Sequence, residues 1–266
     1  MFLFDYHTHT GFSCDSEESL ECMCEKAIQL GLRELAITDH ADFLTHGVFE
    51  DEIDLEKRQI AMQTAQQKYA GQLVIRNGIE LGQPQANPKE YRRLMENYSF
   101  DFIIGSIHNL EKDLELDRLD YASVDLEELY GRFLDAEITL AKDYDFDVLG
   151  HITLPQRYLY RQLEKQVDLR PFEKRYKELF SILMEREKGI EVNTSGLYKG
   201  TGETLPTPQV LKWYRECGGN LLTVGSDAHR ASDLALGIEK TYQILRELGF
   251  SHISTYENRM RKEQRL

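Results

Sequence analysis

The stretch Asp5-Tyr-His-Thr-His-Thr-Gly-Phe-Ser-Cys-Asp15 places His7 and His9 at i and i+2 directly behind the apolar start Phe2-Leu3-Phe4. Alternate side chains of a strand share a face, so both imidazoles can turn towards one ion, and Asp15 returns a carboxylate to the same mouth. A lone histidine is more often solvated or hydrogen-bonded than a ligand. A His-x-His pair with a carboxylate close behind has the donor set of a metal site. Asp227 and His229, again at i and i+2, repeat the device near the other end of the chain.

Four more donors stand where short apolar runs end. His40 follows Glu34-Leu-Ala-Ile-Thr-Asp, Glu80 follows Leu73-Val-Ile-Arg-Asn-Gly-Ile, His108 follows Phe100-Asp-Phe-Ile-Ile-Gly-Ser-Ile, and His151 follows Phe146-Asp-Val-Leu-Gly. Six of the eight histidines therefore gather at predicted strand ends, and His46 and His252 are set aside as loop or surface residues. With Asp15, Glu80 and Asp227 the donors exceed what one tetrahedral ion takes, so more than one metal is expected, with Glu80 the natural bridging carboxylate. Nitrogen and oxygen donors without thiolate suit Zn, Mn or Fe(II) better than Mg or Ca. Asp39 is placed either to orient its neighbour His40 or to bond backbone. Arg157, Arg161, Lys199 and Arg230 lie on loops where a phosphate would be met, although an exposed cation is more often simply solvated.

The elements that must carry these residues repeat regularly. A helix capped by Ser16, with Leu20, Met23, Ala27 and Leu30 on its inner stripe, is predicted to end at Gly31. Strands are expected over 34–40, 73–80, 100–108, 146–151, 189–195 and 220–229, with helices between them. The segments 41–54, 109–124 and 152–169 read as polar loops, Thr207-Pro208 starts a helix, Ser232 caps the last long helix, and the charged tail 256–266 is expected to fray. Seven strand-helix units with no Gly-, Ser- or Pro-rich linker predict one α/β domain over residues 1–266, a distorted seven-stranded (β/α) barrel with its site at the C-terminal ends of the strands. An open doubly wound sheet fits less well, because it would spread the polar strand tips along a wide edge.

Composition limits the partners. Of 266 residues, 46 are acidic and 32 basic, for a net charge of -14, which argues against a general nucleic-acid surface and leaves room for a small phosphorylated substrate. Cys14, Cys22, Cys24 and Cys217 show no paired C-x-x-C spacing, and reduced, packed thiols are expected. With no basic-then-apolar leader and no apolar run of membrane length, a soluble cytoplasmic protein without membrane partners is expected; the oligomeric state is left open.

The motifs Asp5-Tyr-His-Thr-His, Thr38-Asp-His40, Glu80, Gly105-Ser-Ile-His108, Gly150-His151 and Gly225-Ser-Asp-Ala-His229 resemble, in order and over nearly the whole chain, those of the PHP family, named for polymerase and histidinol phosphatase. In length and in the lack of an appended domain the chain is similar to the monofunctional histidinol-phosphate phosphatase branch. The resemblance implies a metal-dependent phosphomonoesterase of histidine biosynthesis that hydrolyses L-histidinol phosphate with three divalent transition-metal ions, Zn, Mn or Fe. One ion would take His7, His9, Glu80 and Asp227, a second Glu80, His108 and His151, and a third Asp15, His40 and His229. Some relatives carry His where Asp15 stands, a departure that bears on the third metal. Glu80, Asp227 and His229 are the expected catalytic residues. Arg161 or Lys199 would meet the phosphate, and Asp42, Phe43 or Tyr158 the amino and imidazole end. The rival readings are a family phosphatase for nucleotides or phosphotyrosine, and a metal-binding barrel without turnover.

Overall fold

The computed structural model describes residues 3–44, 53–110 and 115–266. Strands β1 (Leu3–Asp5), β2 (Leu32–Ile37), β3 (His40–Asp42), β4 (Val74–Gly82), β5 (Phe102–Ser106), β6 (Val148–Leu149), β7 (Gly189–Asn193) and β8 (Leu222–Gly225) form one parallel sheet in the order β1-β2-β4-β5-β6-β7-β8, with β3 paired to β4. β3 continues the line of β2 after the break at Thr38 and Asp39, so the path has seven strands. Main-chain bonds from Tyr6 N to Val224 O (3.0 Å), Asp227 N to His7 O (2.8 Å) and His9 N to Ala228 O (2.9 Å) draw the last strand onto the first and nearly close the barrel.

Helices α1 (Leu20–Gln29), α2 (Leu55–Lys68), α3 (Pro88–Asn97), α4 (Leu126–Asp143), α5 (Leu154–Leu163), α6 (Glu173–Glu185), α7 (Ser195–Lys199), α8 (Pro208–Glu216) and α9 (Ile238–Glu247) lie along the connections. β5 and β7 are buried along their whole length, as a parallel strand covered on both faces must be. The main core joins strand residues such as Phe102, Ile104 and Val192 to Phe133 and Leu140 of α4, Tyr176 and Phe180 of α6, and Leu211 of α8. A smaller core packs Met23, Cys24 and Ala27 of α1 against Met62 and Ala65 of α2.

Several expectations are corrected. The cap of α1 is Ser19, whose hydroxyl accepts from Cys22 N, while Ser16 donates its hydroxyl to His229 O, and Leu30 is exposed at the helix end. His7 and His9 lie beyond β1, in extended chain held by the closing bonds to β8. The expected loop 152–169 contains α5, which starts at Leu154-Pro155. The strands expected over 189–195 and 220–229 end earlier, at Asn193 and Gly225, and Ser195 already belongs to α7. Ser232 sits in a short 3-10 turn, and the last long helix begins at Ile238 behind Gly237, whose φ of 81° suits glycine.

The tail does not fray. β9 (His252–Glu257) and β10 (Met260–Arg265) form an antiparallel hairpin. At its turn Arg259 donates from Nε to Asp147 Oδ1 (2.9 Å) and Asn258 N to Asp101 Oδ1 (2.9 Å), next to the N-terminal ends of β5 and β6. Of the thiols Cys24 is buried, Cys22 and Cys217 are partly covered, Cys14 is exposed, and all four are free. Among the described residues no helix is long and apolar enough to cross a membrane. His46 lies outside the described residues, and His252 opens β9 at the surface.

Candidate metal centre

The register of the sheet brings the predicted donors to one rim. β3 pairs with β4 so that His40 stands opposite Glu80, and Glu80 stands opposite Ile104 of β5, two residues before Ser106. Glu80 is fully buried: Oε2 lies 2.9 Å from His7 Nε2, 3.5 Å from His9 Nε2 and 3.2 Å from His40 Nδ1, while Oε1 lies 3.0 Å from His151 Nε2 and 3.2 Å from His108 Nε2. Ser106 Oγ donates to Oε1 at 2.6 Å. Asp227 Oδ1 is 3.6 Å from His9 Nε2 and 3.9 Å from His7 Nε2. On the far side Asp15 Oδ2 is 3.0 Å from His229 Nε2 and 3.6 Å from His40 Nε2. All nine predicted donors thus lie in one cluster.

The arrangement fits metal ions better than a hydrogen-bonded core. His9 Nε2 is buried with no hydrogen-bond partner, although two carboxylate oxygens stand just beyond bonding reach. Donors placed tetrahedrally at about 2.1 Å from an ion are separated by about 3.4 Å, close to those spacings. The groups His7–His9–Asp227, His7–Glu80–His151, His40–Glu80–His108 and His9–His40–His229 each bring three donor atoms within 4.8 Å of one another. Two donors also sit at positive φ, His151 at 22° and Asp227 at 57°, backbone that non-glycine residues seldom adopt and that recurs at functional sites.

Burial and charge work against each other here. For Asp227, burial opposes ionisation, but Arg157 and the neighbouring histidines outweigh it and hold the carboxyl well below its usual range. Glu80 is likewise held low by His7, His108 and His40 in spite of its burial. Burial, reinforced by the charges of His229 and His40, lowers His9 to about 3, which leaves its imidazole neutral with a lone pair to give.

Four of the six rings share one orientation, while His40 turns Nδ1 to Glu80. His7 Nδ1 faces Glu191 Oε1 (2.6 Å), His9 Nδ1 faces Ser13 Oγ (3.1 Å), His108 Nδ1 faces Asp42 Oδ1 (2.9 Å) and His229 Nδ1 faces Asp227 O (3.0 Å), so each turns Nε2 to the centre. Ser13 donates its own proton to Asp39 Oδ1 (3.1 Å), and the Arg58 guanidinium, almost fully buried, anchors Asp39 from the other side at 2.7 Å. Asp39 thus accepts from backbone at Thr10 N and, through Ser13, reaches the ring of His9 rather than that of its neighbour His40.

The predicted substrate contacts divide. Lys199 Nζ lies 3.2 Å from Asp227 O, with burial lowering its pKa. Tyr158 accepts from Arg157, and Phe43 lines a cavity of about 780 Å³ beside His40 and packs edge-on to Tyr91. Asp42 is not presented to an amine: its side chain is buried between His40 and His108, and a Cβ on Gly82 would lie 1.8 Å from its Oδ1. Arg161 is exposed and turns to Asp117 O (3.5 Å); one helical turn earlier, Arg157 is the cation at the centre, donating to Asp227 Oδ2 (2.7 Å) and Ser195 Oγ (2.6 Å). Arg230 is exposed. Sequence reasoning missed Glu191, Ser13 and Ser106. A charged residue inside the buried run Gly189-Ile-Glu-Val-Asn was the available signal for Glu191, since such a group must find a partner.

The PHP domain family matches residues 5–195. The histidinol-phosphatase of Lactococcus lactis subsp. lactis is 26% identical over 255 residues, 95% of this chain and 93% of that protein. The crystal structure of histidinol phosphate phosphatase from Lactococcus lactis subsp. lactis, complexed with Zn, L-histidinol and phosphate, superposes with a TM-score of 0.87 at 26% identity, covering 97% of this chain and 98% of the other. A chain of archaeal ribonuclease P, solved with mature tRNA, shares the fold alone, with a TM-score of 0.53 at 13% identity over 93% of this chain and 83% of that one.

Proposed function

The chain belongs to the PHP domain family, and from that membership we propose that it is a metal-dependent phosphomonoesterase that hydrolyses L-histidinol phosphate to L-histidinol and phosphate in histidine biosynthesis. The observation that carries the reading is the convergence of nine donor side chains on one rim, with His9 Nε2 buried and unbonded among them. Full-length similarity to a histidinol-phosphatase, and to a structure holding Zn, L-histidinol and phosphate, supports the substrate.

Three ions are our assignment: one held by His7, His9, Glu80 and Asp227, one by Glu80, His108 and His151, and one by Asp15, His40 and His229. When bound, such ions neutralise phosphoryl oxygens and bring the pKa of water close to neutrality. Glu80 offers one oxygen to each side of the cluster and so suits a bridge. Asp15 and His229, at 28% and 20% side-chain exposure, are the open side, whereas the other donors are at 8% or less; substrate enters there. Arg157 and Lys199 flank Asp227 and are our candidates for the phosphate, with Phe43 and Tyr158 as walls for the organic part. For the proton of the leaving alkoxide our candidates are Asp227, His229 and a bound water. The same reading gives a cytoplasmic enzyme acting on a small-molecule ester and not on nucleic acid.

The test is a panel of phosphate esters assayed with added Zn or Mn, together with elemental analysis of protein purified without chelator. We expect kcat/KM for L-histidinol phosphate to exceed that for simple aryl or sugar phosphates by at least about a thousandfold, the scale of losing a charged hydrogen bond and ring packing. Equal rates across the panel would remove the histidinol assignment. Activity retained in strong chelator, with no bound metal, would remove the metal-dependent one.

A further inference from the structure

Glu191 lies in the middle of β7, 1% exposed, and its two oxygens serve the segments that follow two other strands, β1 and β6. Oε1 lies 2.6 Å from His7 Nδ1, and Oε2 accepts the main-chain N–H of His151 at 2.8 Å. The Asn193 side-chain amide also donates to Oε2, at 3.2 Å, and Asn193 Oδ1 in turn accepts from Ser195 Oγ (2.6 Å), the hydroxyl that receives Arg157. The chain leaves little freedom around this carboxylate. A Cβ at Gly225 would stand 2.7 Å from Glu191 Oε1 and 2.3 Å from His7 Cβ, so only glycine lets β8 pass this close. His151, whose N–H Glu191 holds, is one of the two donors at positive φ.

We infer that, within the metal-dependent reading above, Glu191 is a positioning residue that sets the centre through two of its ligands at once, one by its ring tautomer and one by its backbone. An Nδ1–H committed to Glu191 leaves the lone pair on Nε2, the nitrogen that faces Glu80 and Asp227. The N–H bond to His151 holds that residue's backbone where Nε2 reaches Glu80. Both duties require two acceptors. A glutamine has one: with its carbonyl on His7 its NH2 meets the N–H of His151, and with the amide reversed its NH2 forces His7 into the Nε2–H tautomer, which cannot bind an ion.

The experiment measures zinc affinity by chelator competition, and histidine side-chain 15N–1H spectra, on the full chain. In the wild-type protein His7 should carry a proton on Nδ1, shifted far downfield by the short bond to a carboxylate, with or without zinc. Glu191→Gln should weaken zinc binding about 10- to 100-fold and lose that resonance. In a His7→Ala background the same substitution should cost clearly less, because the two residues act together. Unchanged zinc affinity in a folded Glu191→Gln variant, equal losses in both backgrounds, or a wild-type His7 without an Nδ1 proton would overturn the assignment. The last measurement needs no variant. Failure of the wild-type chain to bind zinc would instead count against the proposed function, since the His7–Glu191 bond is read independently of the metal.

Discussion

Glu80 shows how much one side chain decides here. Two oxygens face five imidazoles at 2.9 to 3.5 Å, a crowding of nitrogen and oxygen donors that suits metal ions. Glu80→Gln keeps the volume and removes the charge, so the fold should survive while turnover falls by at least about a hundredfold and bound metal per chain declines. Steady-state kinetics with metal analysis on the purified variant checks this, and near-wild-type turnover would count against a bridge at Glu80. At the same scale, Arg157 and Arg161 were indistinguishable as letters in one segment. Both lie on one face of α5, a single turn apart, and that step along the helix separates them: Arg157 reaches Asp227, while Arg161 turns outwards to Asp117 O.

Among the elements, α5 and the β9–β10 hairpin are the parts the sequence pattern hid. The segment 152–169 read as a polar loop, yet it holds α5, in whose first turn Pro155 costs nothing. The hairpin is highly charged and has little alternation, but it is pinned by buried partners. Asp147 accepts from Ile103 N (2.8 Å) and from Arg259, while Tyr256 packs 5.0 Å from the Phe102 ring and its N–H donates to Tyr6 OH at 2.9 Å. Arg259→Ala would leave the nearly buried Asp147 short of its cation. We expect a loss of about 1–3 kcal/mol in unfolding free energy with little change in zinc affinity, since this end of the barrel is remote from the centre along the strands. Denaturant unfolding of the variant measures it.

At the scale of the whole molecule, the core tolerates a carboxyl that the centre does not use. Glu137 of α4 is buried with Oε2 unbonded, and burial, only partly offset by Arg175, raises its pKa well above the ordinary carboxylate range. The folded chain therefore keeps a proton that the unfolded chain releases, so stability falls as pH rises from the ordinary glutamate range towards the raised value. Glu137→Gln removes that dependence. The melting temperature of the variant should pull ahead of wild type between pH 5 and pH 8, by at least a few degrees at the upper end. A constant difference across the range would show that Glu137 is not held protonated. The scan is best made on metal-free protein, because the histidine centre has its own response to pH.

What this sequence determined by itself was periodic and local. Apolar runs such as those within 100–108 and 189–195 state a buried parallel strand, and the polar letter that ends a run, His40, Glu80, His108 or His151, states which end of the strand faces the site, because in a β/α barrel all C-terminal ends share one rim. The barrel class, and the gathering of these side chains at one rim, were legible for that reason. Tertiary structure alone decided the relations between distant positions. Glu191 meets His7 across 184 residues, Arg259 meets Asp147 across 112, and Asp42, which read as a substrate contact on a loop, is folded inwards between two histidines. A hydrogen bond depends on the approach of two atoms to within about 3 Å. Periodicity fixes the face on which a side chain lies but not the neighbour it meets there, and that is set by sheet register, barrel closure and the space left by residues such as Gly82 and Gly225.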